Sequence, residues 1–168
     1  ALLHDALILG IQDYFQKNGF KTATLGLSGG IDSAVVVALA AEALGSENIR
    51  VLLLPSEYST SHSITDAEGL AQNLSIQYDI VPIKDIYNTA LKSLSPLFGD
   101  MPFSVAEENL QARIRGLLLM AVSNKFGNIL LNTSNKSEVA VGYGTLYGDT
   151  NGSISVLGDV YKTDVFNL

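Results

Sequence analysis

The segment Gly26-Leu27-Ser28-Gly29-Gly30-Ile31-Asp32-Ser33 constrains this chain more than any other. A short β-branched run (Thr22 to Leu25) precedes it, and an apolar helical stretch (Ala34 to Leu44) follows. Strand, Ser/Gly turn and helix start, in that order, make an anion site. The glycines let the backbone turn tightly, so that freed N–H groups and the helix dipole point at one spot. Asp32 lies beside that spot, where a carboxylate repels a phosphate unless a cation sits between them. The economical reading is a pyrophosphate cradle with a Mg²⁺ ligand built in. No Gly-Lys-Ser/Thr follows the glycines, so this is not a Walker P-loop. A plain Gly-rich turn capping a helix is the competing reading.

Composition narrows the class. A chain of 168 residues with 47% hydrophobic content fits one domain (1–168) with a real core. Charged residues make up only 16%, which argues against long disordered tails. There is no cysteine, hence no disulfide, thiolate zinc site or thiol nucleophile. His4 and His62 lack metal-ligand spacing. The longest apolar runs fall short of the ~20 residues of a membrane span, and the N-terminus has no basic n-region of a signal peptide. Net charge is −7 without a basic patch, which disfavours nucleic acid. An acidic protein that handles a triphosphate must bring local positive charge, from Mg²⁺ or a few placed Lys and Arg residues.

Periodicity predicts helices over Leu2 to Phe15, Ile31 to Leu44, Ile64 to Leu74, Ile83 to Leu94 and Ser104 to about Lys125, the last opened by a Ser104/Glu107 capping box. A further short helix is expected at Lys136 to Val141. Strands are expected at Thr22 to Leu27, Ile49 to Leu54, Ile76 to Val81 and Asn128 to Asn132, with a short one at Ile154 to Leu157. Ser56 to Ser63 reads as a polar loop, and a Pro/Gly loop runs up to Pro102. The alternation predicts an α/β fold, an open doubly wound and mostly parallel sheet with helices on both faces. Right-handed crossovers put strands two and three on one side of strand one. If strand four returns to the other side, a ligand crevice opens between strands one and four. The Ser28 loop and Thr133-Ser134-Asn135-Lys136 should face that crevice, with Asp32 on the order of 10 Å from the Thr133–Glu138 segment.

Three further groups carry candidate chemistry. Asn135 and Glu138 have capping-box spacing, which is one reading of both. The other places Thr133 and Glu138 opposite Asp32, with Glu138 as a Mg²⁺ contact or a substrate-orienting acceptor. Asn109 and Arg113, at i and i+4, share a helix face and can clamp a carboxylate, phosphate or ribose, or form a solvated surface. Arg115 points elsewhere and is read as a surface charge, as Lys162 is on its local sequence.

The Ser28 loop resembles the SGGxDS loop of the ATP pyrophosphatases. Together, GLSGGIDS, ENLQARIR, LLNTSNKSEVAVGYGTLYGDTNG and LGDVYKTDVF resemble NAD synthetase, above all the synthetase domain of the glutamine-dependent bacterial type, across nearly the whole chain. The resemblance implies an adenine nucleotide alpha hydrolase-like fold, cytoplasmic location and a homo-oligomer, a dimer or higher. It implies adenylation of the nicotinate carboxylate of deamido-NAD by ATP, and displacement of AMP by ammonia to give NAD. It places ATP on Gly26, Leu27, Ser28, Gly29, Gly30, Ile31, Asp32 and Ser33, on Thr133, and on Lys162 as a phosphate contact. Asn109, Arg113 and Glu138 fall at deamido-NAD positions, and Asp32 and Glu138 at metal positions. No side chain acts as nucleophile; the loop, Mg²⁺ and Lys162 stabilise the departing pyrophosphate.

Two positions depart from the ammonia-dependent pattern, with Leu146 where a lysine stands and Ser153 where an aspartate stands. The family continues past Leu168 with segments that complete the site, so an excised, truncated domain is expected. The glutaminase domain that supplies ammonia in the fused enzyme has no counterpart in these residues. Another amidating ATP pyrophosphatase, GMP synthetase-like, is the alternative enzyme reading. A nucleotide-binding fragment without turnover is the alternative outside enzymes.

Overall fold

The computed structural model describes residues 2–168. Five short strands form one sheet in the order β3-β2-β1-β4-β5, every neighbouring pair parallel. The strands are β1 (Ala23–Gly26), β2 (Ile49–Leu53), β3 (Gln77–Ile80), β4 (Ile129–Asn132) and β5 (Ile154–Ser155). The chain therefore steps outward from β1 through β2 to β3, then returns to the other side of β1. That reversal is the expected switch point.

Period-two alternation assigns the two faces. Leu25, Val51 and Leu53 pack with α1 (Leu2–Asn18), α2 (Ile31–Leu44) and α3 (Ser61–Asn73), where Ile11, Phe15, Val36, Val37 and Ala67 are buried. Leu52, Leu54 and Leu130 face the opposite way, against Ile83 and Tyr87 at α4 (Lys84–Phe98) and Ile114 and Leu119 of α5 (Val105–Phe126). Helices thus cover both faces. Polar strand residues are matched within the sheet: Thr24 Oγ1 donates to Arg50 O at 2.9 Å, and Arg50 pairs with Asp79 on β3 at 2.7 Å.

Local chemistry sets several boundaries. The Ser104/Glu107 capping box opens α5 as its spacing predicts, and Gly127 closes it in a left-handed conformation. α3 begins three residues earlier than periodicity predicts, because Thr60 Oγ1 accepts the Ser63 N–H and caps the helix inside the expected loop. α4 runs through Pro96 to Phe98, past its expected end at Leu94. Proline cannot donate to Lys92 O; the Ser95 hydroxyl takes that acceptor at 2.9 Å. Two short helices follow β4, α6 (Lys136–Ala140) and α7 (Lys162–Val165), the second unanticipated.

Candidate functional site: two loops at the switch point

The turn between β1 and α2 is braced from within. Ser28 N donates to Ser33 Oγ (3.2 Å), Ser33 Oγ donates to Gly30 O (3.0 Å) and Gly30 N donates to Ser28 Oγ (3.2 Å). Gly29 has φ +81°, and a Cβ there would lie 2.5 Å from Ser63 O at the start of α3, so geometry and crowding both demand glycine. No side chain caps α2 at Gly30. Among the described residues, no protein acceptor takes the N–H of Gly29, Ile31 or Asp32. These donors open a 14-residue helix, the arrangement that an anion cradle requires.

Asp32 is where the two loops meet. Asn135, leading into α6, donates Nδ2 to Asp32 Oδ1 at 3.1 Å, and the Lys162 ammonium at the start of α7 pairs with Asp32 Oδ2. Asn135 is fully buried. Its Oδ1 accepts Glu138 N at 3.1 Å, and Glu138 Oε2 accepts Asn135 N at 3.0 Å, a complete capping box. The expected gap of about 10 Å between Asp32 and this segment is therefore replaced by direct contact. The physical reason lies in the amide of Asn135: its oxygen caps α6 while its nitrogen remains free to reach the carboxylate.

Over the carboxyl ends of β1, β2 and β4 lies a crevice of about 400 Å³. Gly26, Leu27, Ser28 and Thr133 line it, with an apolar wall of Leu52, Leu54, Ile64, Ala67 and Leu119. Glu138 is not in this wall. It lines a neighbouring cavity with Tyr143, Leu146 and Ser153, separated from the crevice by Asn132 and Asn151, which border both. The sequence-predicted set thus divides: Thr133 joins the Ser28 loop, Asp32 and Lys162 pair at the foot of α2, and Glu138 stands apart with one carboxylate oxygen bound in its cap.

Asn109 and Arg113 do share a face, as their spacing requires, and both hold the glycine-rich segment after α6. Asn109 Oδ1 accepts from Thr145 Oγ1 (2.8 Å), and Arg113 Nε donates to Leu146 O (3.2 Å). That segment presses on α5 backbone to backbone. A Cβ on Gly116 would lie 2.6 Å from Tyr147 O, and one on Gly148 would lie 2.9 Å from the Ala112 carbonyl carbon.

Arg115 requires a correction. It is a half-buried residue of the crevice, not a surface charge; its Nε donates to Leu54 O at 3.0 Å, across 61 positions of sequence. Burial pushes its pKa down from the ordinary arginine value, against the pull of Asp149. The local pattern EENLQARIR sets Arg115 off the Asn109/Arg113 face, but what that other face meets depends on how α5 lies on the end of β2.

The donor set bears on a cation. Asp32 is the carboxylate at the cradle, and among the described residues no three His, Cys, Asp or Glu side chains cluster as a metal site. A small hard cation that keeps waters and phosphate oxygens needs only one or two protein carboxylates. The residues therefore fit Mg²⁺ arriving with a phosphorylated ligand.

A parallel sheet with its switch point between β1 and β4, and a helix start with unpaired N–H donors beneath it, defines an open α/β protein. Residues 3–168 match the family model for NAD synthase, and the chain belongs to the NAD synthase family. It is 58% identical over 166 residues to the glutamine-dependent NAD(+) synthetase of a Synechocystis strain, covering 99% of this chain and 30% of the relative. The structure of glutamine-dependent NAD+ synthetase from Acinetobacter baumannii in complex with ADP superposes with a TM-score of 0.97 at 47% identity, covering 99% of this chain and 32% of that one. NMN synthetase from Francisella tularensis superposes at 0.91 with 31% identity, over 99% of this chain and 67% of that one. The chain thus spans about 30% of the length of the glutamine-dependent relatives it matches.

Proposed function

We propose that this chain is the synthetase part of an enzyme that makes NAD from deamido-NAD, ATP and ammonia, releasing AMP and pyrophosphate. The observation that carries this reading is the convergence of the Ser28 loop, Asn135 and Lys162 on Asp32, beside a crevice of nucleotide size. A nicotinate oxygen attacks the α phosphorus, and the bond from that phosphorus to the bridging oxygen breaks, so pyrophosphate leaves. Ammonia then attacks the acyl carbon, the bond to AMP breaks, and the surplus proton passes to solvent. Adenylation is needed because a bare carboxylate has no viable leaving group.

This chain's own groups suit the first step. The free N–H groups of Gly29, Ile31 and Asp32 can bind phosphate oxygens, and Thr133 can donate its hydroxyl across the crevice. Lys162 can transfer its charge from Asp32 to the departing pyrophosphate, while Asp32 takes up the cation. Bound there, Mg²⁺ supplies neutralisation of phosphate charge. Asn109 and Arg113 shape the segment that receives deamido-NAD, and Glu138 is its acceptor at the nicotinate end or a second metal contact.

The names of the relatives support ammonia supplied from glutamine by a glutaminase domain of the parent polypeptide. A homo-oligomer in the cytoplasm is part of the same proposal, as the family resemblance implies. Among the described residues no helix is long and apolar enough to cross a membrane. Residues 1–168 form one domain in this reading.

The likeness to an NMN synthetase adds nicotinate mononucleotide as the rival acceptor. Pyrophosphate release by the full-length protein, measured with ATP and ammonia plus deamido-NAD, nicotinate mononucleotide or xanthylate, decides among them. Release with deamido-NAD is the expected result. Release only with one of the other two reassigns the acceptor, and ATP binding without release under any condition leaves a nucleotide-binding module.

A further inference from the structure

We propose that Arg115 is a substrate-binding residue, holding a pair of anionic oxygens that enters the crevice; this rests on the nucleotide reading above. Among the residues lining the crevice, Arg115 is the one cation and Asp149 the one anion. Arg115 forms no ion pair among the described residues, and its one side-chain hydrogen bond is from Nε to Leu54 O. The Nη groups therefore keep four N–H donors unspent. A guanidinium taken partly out of water without a direct counter-charge is costly. In a protein of net charge −7, such a group is expected to find its partner in a ligand.

A second observation points the same way. Asn151 Nδ2, which borders the crevice beside Gly116, is buried and has no acceptor. One wall of the crevice thus carries two side chains, Arg115 and Asn151, with N–H donors that no acceptor takes, the Asn151 amide packed against Gly116. The Nε bond to Leu54 O fixes the plane of the Arg115 guanidinium, so its fork is pre-organised for a phosphate or carboxylate. Arg115 also borders an outer depression formed with Tyr58, Phe103, Glu108 and Gln111, so an anion could reach it from either side.

Two sources of such oxygens exist: the nucleotide phosphates, and the carboxylate or diphosphate of the acceptor. Calorimetric titrations of the full-length wild type, Arg115→Lys and Arg115→Gln with Mg-ATP, AMP, adenosine and the acceptor dinucleotide separate them. If the phosphates are bound, Arg115→Gln weakens ATP at least tenfold and adenosine less than twofold. If the acceptor is bound, ATP affinity is kept while dinucleotide affinity falls tenfold and KM for it rises. In both cases Arg115→Lys is intermediate, since charge survives without the fork. Equal weakening of adenosine and ATP would reduce Arg115 to a structural strut and overturn the proposal, as would wild-type affinities throughout with matching melting curves. A wild type that binds neither ATP nor the dinucleotide would instead overturn the nucleotide reading, and the role of Arg115 with it.

Discussion

The two loops that meet at Asp32 are built on opposite principles. The turn from β1 into α2 braces itself: its hydrogen bonds join Ser28, Gly30 and Ser33, no two more than five positions apart. The region after β4 has its own Asn135/Glu138 cap but also depends on partners far away. Asn132 Nδ2 donates to Asp149 O (2.6 Å) and Asn151 O (2.9 Å), Thr145 reaches Asn109 across 36 positions, and Lys162 reaches Asp32 across 130. A self-braced turn presents donors of fixed direction whatever the rest of the chain does. A tethered segment takes its final shape only when α5 and α2 are in place. Under the proposed function, the first serves the polyphosphate and the second the larger acceptor.

The contrast can be broken at four points, from largest to smallest expected effect, with a fifth substitution as a control. Gly29→Ala places a Cβ 2.5 Å from Ser63 O at φ +81°, and it is expected to cost about 3 kcal/mol or more in a denaturant titration, with loss of ATP binding. If stability is kept, the turn is not rigid and the contrast fails. Gly116→Ala tests the tethered side, since its Cβ would meet Tyr147 O at 2.6 Å. About 2 kcal/mol is expected, with the dinucleotide affected more than ATP; equal losses for both ligands would merge the two regions into one unit.

Lys162→Met removes the cation between the loops. Its half-exposed side chain limits the stability cost to about 1 kcal/mol, while ATP affinity is expected to fall at least tenfold. A melting change with no affinity change would make Lys162 a structural tether alone. In the same assay, Asp32→Asn should abolish most of the Mg²⁺ dependence of ATP binding.

The smallest effect lies away from both loops and serves as a control. His4 is held above its ordinary pKa near 6.5, first by its hydrogen bond with Asp5 and further by Glu42 of α2, against the opposing pull of burial. A raised folded pKa means stabilisation that is full below the unfolded value and lost as pH rises through the folded one. Stability measured from pH 5.5 to 8 should decline slightly for this reason, and His4→Gln should flatten that slope without altering ATP affinity.

The order of helices and strands, the parallel sheet and the tight turn before α2 were legible because they depend on neighbours in sequence. Period-two and 3.6-residue patterns place each apolar side chain on a face, capping boxes at Ser104 and Asn135 fix helix starts, and the SGG turn needs only its own serines. Legibility ended where local signals were ambiguous. Thr60 hid a helix start inside a polar stretch, and Ser95 let α4 absorb a proline.

What only the tertiary structure decided was which polar residues meet. Arg113 and Arg115 are two residues apart on one helix, yet one steadies an exposed segment and the other enters the crevice, because α5 lies across the end of β2 at Leu54. Glu138 and Thr133 leave the same strand, yet face different cavities on either side of Asn132. Lys162 finds Asp32 only because β5 and α7 fold back beside α2. Sequence determines the period and the caps, since these are short-range sterics and hydrogen bonds. The pairing of distant charges waits for the packed sheet, since only packing sets the direction in which each helix face points.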